Sequence, residues 1–210
     1  MTFESREEAG WQLGRRLAAQ GVEADIVLGL PRGGVVVAAE IARVLGKPLG
    51  VLIVRKIGHP RHREYAVGAM AEEGVVLLDR AAIAETHVHQ AELNEIIEEE
   101  SARLRSYKER FHHEGELSLA GKNVAIVDDG LATGATAEAA VLSAKKQKAR
   151  KVIVAVPVAS PDGIRRLGVV ADDVIALVVD PDFVAVGQYY QYFPQTTDEE
   201  VQSLLHPAHA

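Results

Sequence analysis

The chain has 210 residues, 48% of them apolar and 25% charged, enough for a sizeable core and incompatible with a disordered or low-complexity protein. Its 23 Lys and Arg against 30 Asp and Glu give a net charge of -7, which argues against nucleic acid as a partner and leaves room only for a local basic loop. Cysteine is absent, which excludes disulfides, thiolate nucleophiles and cysteine-held metals. The first residues carry no signal-like apolar region and no apolar run reaches bilayer-spanning length, so a soluble, cytoplasmic protein without a membrane partner is expected.

Ser5-Arg6-Glu7-Glu8 has capping-box spacing, and Leu13 and Leu17 continue an apolar face, so the first helix is expected to run to about Gln20. Asp25 to Leu30 reads as a short buried strand, followed by a Pro-Arg-Gly-Gly turn and a helix from Val35 to Leu45 that stops at Gly46. Leu49 to Val54 is the next apolar strand. Residues 55–78 break the rhythm with Gly58, Pro60, Gly68 and Gly74, and a hairpin is expected to lead into Val75–Leu78. Residues 86–111 read as one long charged helix. Leu93, Ile97, Leu104, Tyr107 and Phe111 form its stripe, either a cover for the core or a face for a homodimer. The rhythm then returns with strand Val124–Val127, a helix from about Gly134 to Lys148 and strand Lys151–Val156. A short helix near Pro161–Leu167 and strand Val174–Val179 follow. Apolar strands alternating with helices predict an α/β fold on an open, mostly parallel sheet flanked by helices. No repeat or dividing linker is visible, so one domain over 1–210 is expected, with a flexible loop near 55–70 and a helical insertion near 80–115.

Four segments, 29–34, 55–66, 128–136 and 180–188, each follow a predicted strand. Ligands of open parallel sheets sit beyond the carboxyl ends of the strands, so these segments are expected to meet along one edge. The most informative stretch runs from Val124 to Thr136: a buried strand, the adjacent carboxylates Asp128 and Asp129, and a small-residue loop that opens a helix. Successive backbone N–H groups, the hydroxyls of Thr133 and Thr136 and the positive helix end make a phosphate cradle. Carboxylates beside a phosphate need another task, such as gripping sugar hydroxyls or holding magnesium. The other reading is an Asp-Asp-Gly turn followed by an ordinary cap. A Walker-type loop is excluded, because Gly134-Ala135-Thr136 stands where Gly-Lys-Ser/Thr is required. Residues 55–63 gather Arg55, Lys56, Arg61 and Arg63 with His59 and His62, which reads as a solvated loop or as a mobile lid for a polyanion.

The 124–136 segment resembles the motif with which type I phosphoribosyltransferases bind 5-phosphoribosyl pyrophosphate (PRPP). Gly29 to Gly34 is similar to that family's pyrophosphate loop, and Val54-Arg55-Lys56 with Gly58 and Pro60 to the start of its flexible catalytic loop. Pro181 to Gly187 is similar to the segment lying over the base in purine enzymes. Order and character also look like the branch of predicted phosphoribosyltransferases, whose acceptor is not established. The resemblance implies a small hood beside the sheet. It also implies a magnesium-dependent enzyme that moves phosphoribose from PRPP to a nitrogenous acceptor, a nucleobase or a related compound, and releases pyrophosphate. By the same resemblance Ala132, Thr133, Gly134, Ala135 and Thr136 hold the 5-phosphate, while Asp128 and Asp129 hold the ribose hydroxyls and, through them, magnesium. Pro31, Arg32, Gly33, Gly34, Arg55 and Lys56 receive pyrophosphate, supported by Arg61 and Arg63. Arg32, Lys56, Asp128 and Asp129 are the implied catalytic group, and Phe183 and Val184 are candidates for acceptor contacts. A non-proline cis peptide is implied at Pro31–Arg32.

Ala132 stands where one purine-salvage branch carries an acidic base, and Val156-Pro157-Val158-Ala159-Ser160 offers no lysine to read a purine oxygen, which leaves the acceptor open. The aromatic run from Gly187 to Phe193 would either wall the acceptor site or pack the C-terminal helix. The pairs His59 and His62, His87 and His89, His112 and His113, and His206 and His209 read as surface histidines, with His87 and His89 on different helix faces. Magnesium brought with the substrate is the expected metal. The alternative to an enzyme is a PRPP sensor, which would need an added effector surface. The acidic charge, the short run before Asp25, and Lys56 and Arg32 favour the enzyme.

Overall fold

The computed structural model describes residues 2–112 and 117–206. Ser5 caps α1 (Arg6–Ala19), its hydroxyl accepting the Glu8 N–H, and Ala9, Leu13 and Leu17 form the buried face that the spacing predicts. β1 (Ile26–Gly29) leads into α2 (Gly33–Leu45), which ends at Gly46 in the left-handed conformation, φ 62°. The next strand is shorter than its apolar run. β2 covers Leu49–Val51, the chain turns at Leu52 and Ile53, and β3 (Val54–Gly58) begins a second sheet. Buried Glu72 fixes that turn, its Oε1 accepting the Ile53 N–H at 2.7 Å.

β3 pairs antiparallel with β4 (Ala66–Ala71), and β4 with β5 (Val75–Leu78). Of the segment expected as a flexible loop near 55–70, residues 55–58 and 66–70 are therefore strand, and residues 59–65 form the connection. The helix expected over 86–111 begins at Gln90, as α4 (Gln90–Phe111), and a separate short helix, α3 (Arg80–Thr86), precedes it. His87 closes α3 at φ 54° and His89 caps α4, so both lie between helices rather than on one. β6 (Asn123–Val127), α5 (Ala135–Lys146), β7 (Lys151–Ala159), α6 (Pro161–Leu167) and β8 (Asp173–Val179) follow as expected, and α7 (Asp198–Leu205) ends the described chain.

The large sheet has the order β2-β1-β6-β7-β8, with every neighbouring pair parallel. Because side chains alternate along a strand, each face needs its own cover. Val27, Ala125, Val127 and Ala155 pack against Leu13 and Leu17 of α1 and Val37 and Ile41 of α2. Ile26, Leu28, Val124, Ile126 and Val154 pack on the other face against Ala137, Ala140, Val141 and Ala144 of α5. These small alanines let the second sheet approach, and Ala69 and Ala71 of β4 join the same core. Ile57, Val67 and Met70 turn the other way, to Leu93, Ile96 and Leu104 of α4. The apolar stripe of the insertion thus covers the small sheet, and α4 becomes an outer wall beside the carboxyl ends of β1 and β6. Among the described residues no helix is long and apolar enough to cross a membrane.

Candidate active site

A cavity of about 610 Å³ opens beyond β1 and β6. Leu30 and Pro31 line it after β1, and Asp128 and Thr136 after β6. The β3–β4 hairpin contributes Arg55, Lys56, Gly58 and Arg63, and α4 adds Glu99, Glu100 and Arg103. The segments that follow the strands thus meet along one edge of the sheet, as expected. The fourth, 180–188, touches the 128–136 loop through Val186, which lies 2.6 Å from where a Cβ on Gly130 would stand, while Phe183 stacks on Tyr189 with ring centroids 5.4 Å apart and Val184 is 84% exposed. Neither residue lines this cavity.

The loop between β1 and α2 lies directly on the carboxylate pair, which explains its two glycines. A Cβ on Gly34 would sit 2.7 Å from the Val127 carbonyl oxygen and 2.9 Å from the Asp128 Cα, and one on Gly33 would overlap Asp129. The peptide between Pro31 and Arg32 is cis, as the resemblance implies. Arg32 itself turns away from the cavity, with Nη1 3.7 Å from Asp198 Oδ1 at the start of α7. On the opposite side, Gly134 opens α5 in the left-handed conformation at φ 77°. The N–H groups of Ala132, Thr133 and Gly134 find no acceptor among the described residues, and those of the first turn of α5 have none within the helix. Donors of this kind, at a positive helix end, suit an anion.

Burial pushes the carboxyl groups of Asp128 and Asp129 above the ordinary aspartate range, and the neighbouring Asp129 charge pushes Asp128 further. Arg6 opposes this at Asp129, its Nε donating to Oδ2 at 2.8 Å, and the charge of Lys56 opposes it at both. Asp128 Oδ1 accepts the Asp129 N–H at 2.9 Å. The cations above are unevenly committed. Glu100 takes Arg55 Nε at 2.9 Å and Arg103 Nη1 at 2.6 Å, and Glu99 takes Arg63 Nη2 at 2.7 Å. Lys56 has no carboxylate within ion-pair reach among the described residues. A free ammonium facing a carboxylate and a phosphate cradle suits a ligand that carries both polyanionic and hydroxyl groups.

Several site residues escape sequence reasoning. Glu99, Glu100 and Arg103 face the cavity from a helix whose apolar stripe says nothing of its polar side. Arg6 carries one signal, a cation in the first turn of a helix, where acidic residues are favoured. The histidine reading needs correction. His59 is buried and its Nδ1 accepts the Arg61 N–H at 3.0 Å, while half-buried His112 lies 2.8 Å from Glu72 Oε1. His113 and His209 lie outside the described residues. No group of three or more potential ligands able to hold a metal ion occurs among the described residues. In the aromatic run, Tyr189 and Tyr190 are buried with Phe3 and Val158, the Tyr190 hydroxyl donates to the Asp129 carbonyl oxygen at 2.6 Å, and Tyr192 lines a cavity with Glu199 and Leu204 of α7.

The phosphoribosyl transferase domain family matches residues 6–192. A Mycobacterium tuberculosis protein named "putative phosphoribosyl transferase" is 44% identical over 208 residues, which is 99% of this chain and 47% of that protein. The chain thus spans about half the length of that curated relative. A solved structure from Thermus thermophilus is similar at 44% identity and a TM-score of 0.80, with 98% of both chains covered. The purine phosphoribosyltransferase of Pyrococcus horikoshii shares the fold at 19% identity and a TM-score of 0.51, with 90% of both chains covered. On the span of the family match and the parallel sheet that carries its loops, the chain belongs to the type I phosphoribosyl transferase family.

Proposed function

We propose that the cavity binds PRPP with magnesium and transfers its phosphoribosyl group to a nitrogenous acceptor, a nucleobase or a related compound. The observation that carries this reading is the placement of uncommitted Lys56 in one cavity with Asp128 and Thr136. The 5-phosphate would rest on the N–H groups of Ala132 to Thr136 and the two threonine hydroxyls, and the ribose hydroxyls on Asp128. Pyrophosphate would lie between Lys56 and the Pro31–Gly34 loop, with Arg55 at the wall and Arg32 reaching in only after leaving Asp198. In the reaction the anomeric C–O bond breaks and its electron pair leaves with pyrophosphate. The acceptor nitrogen bonds to the anomeric carbon and gives up its proton to solvent water. Lys56 stabilises the charge gathering on the leaving group, and Asp128 the transient sugar cation.

The residues present fit magnesium. Asp128 is a hard oxygen donor on the cavity wall, with a second carboxylate, Asp129, beside it. Magnesium, held by these residues through the ribose hydroxyls, would supply charge neutralisation to the departing pyrophosphate. The test is a pyrophosphate-release assay with magnesium and PRPP across a panel of bases and amines, run beside equilibrium PRPP binding. Release with one acceptor is the expected result. Binding without release across the panel points to a sensor instead, and absence of PRPP binding overturns the reading.

A further inference from the structure

Arg6 stands at the first position of α1, where a helix favours anions, yet its side chain is 9% exposed. A buried guanidinium needs acceptors, and this one holds three groups together. Nε donates to Asp129 Oδ2 at 2.8 Å, Nη1 donates to the Pro194 carbonyl at 2.7 Å, and the plane lies 3.7 Å from the centroid of the Phe193 ring. The segment around Phe193 reaches Asp129 a second time through the Tyr190 hydroxyl, and the Tyr190 and Phe193 rings stack at 4.9 Å. Gly33 lies against the Arg6–Asp129 pair, its hypothetical Cβ 2.7 Å from Arg6 Nε, so the pyrophosphate loop abuts the same anchor.

We propose that Arg6 is a positioning residue that fixes Asp129, and with it the ligand-facing loop, to α1 and to the 190–194 segment. Because Asp129 N–H donates to Asp128 Oδ1, a change in the set of Asp129 is passed to Asp128. This inference rests on the reading of the cavity as a PRPP site. The planar fork of arginine reaches a carboxylate and a carbonyl while stacking on a ring, which a lysine cannot do at once.

The test is calorimetric titration of magnesium–PRPP into the wild type, Arg6→Met, Arg6→Lys, Asp129→Asn and the Arg6→Met/Asp129→Asn double variant, with melting temperatures on the same samples. Arg6→Met is expected to weaken binding about 10- to 100-fold, as for loss of a hydrogen bond to a charged group. Arg6→Lys restores part of it. The double variant binds no worse than Asp129→Asn alone, because both changes act on one anchor, whereas a merely structural role would multiply the two losses. It also melts above Arg6→Met, since no orphaned carboxylate remains. Multiplying losses in the double variant, or unchanged affinity in Arg6→Met, overturns the inference. Should Arg6→Met not fold, unchanged affinity in Arg6→Lys overturns it. A wild type that binds no PRPP fails at an earlier step, and the cavity reading falls together with the inference.

Discussion

Replacing Gly34 with alanine probes how closely the start of α2 lies on the carboxylate pair. The new Cβ would meet the Val127 carbonyl oxygen at 2.7 Å, the Asp128 Cα at 2.9 Å and the Asp128 Oδ1 at 3.0 Å. Two of these atoms are backbone of β6 and its loop, held between β1 and β7 by parallel pairing, and they cannot yield. Either α2 moves outward or Asp128 rotates. Overpacking of this kind costs about 1–3 kcal/mol, and the better helix propensity of alanine offsets about 0.5–1 kcal/mol of it. The net loss is at most about 2.5 kcal/mol, which for a chain of this size lowers the melting temperature by up to about 10 °C. The effect on ligand binding is larger, because a carboxylate displaced by a fraction of an ångström loses its aim, and a fall in PRPP affinity of tenfold or more is expected. Thermal denaturation and PRPP titration measure the two effects on one preparation. A Gly34→Ala variant with undiminished melting temperature and full PRPP affinity would refute the packing argument.

Lys56→Ala is expected to lower turnover by about 10²–10³ while PRPP affinity falls only modestly, since the ammonium acts on charge that builds up in the transition state. Equal turnover on an identified acceptor removes Lys56 from the catalytic group. Asp128→Asn should raise the melting temperature above pH 7 in metal-free buffer while lowering PRPP affinity. The sign follows from the raised carboxyl of Asp128. The folded state keeps a proton that the unfolded state has already lost, so stability falls as pH rises through the raised value, and the amide has no such loss. The gain therefore shrinks as the buffer approaches the ordinary carboxylate range, and a lower melting temperature at pH 8 would contradict the argument. Glu100→Ala leaves Arg55 and Arg103 without their shared carboxylate and should cost about 1–3 kcal/mol in denaturant unfolding, a cost absent if these pairs are merely superficial.

The phosphate loop and its strand were readable because everything that defines them is local: four apolar residues, two acids and a small-residue turn within thirteen positions. Ser5, Gly46 and Gly134 likewise mark boundaries by their own chemistry. The break after Val51 was not readable, because it depends on the Glu72 carboxylate reaching the Ile53 N–H from the turn between β4 and β5. The later start of the long helix rests on His87 taking a left-handed conformation that closes α3, which histidine does not announce. Arg6, Glu99 and Glu100 reach the site or its anchor across long stretches of chain, and Arg32 is diverted by Asp198, at the start of the last described helix. A spacing pattern cannot carry such meetings, since they are made by the order of strands in the sheet.

The central claim is that the space between Lys56, Asp128 and the start of α5 is a PRPP site. Parallel titrations of magnesium–PRPP into the wild type and the Asp128→Asn/Asp129→Asn variant test it most directly. One site per chain in the wild type, weakened at least about tenfold in the folded variant, is the predicted result. Equal affinity in both proteins, or no binding by the wild type, would contradict it.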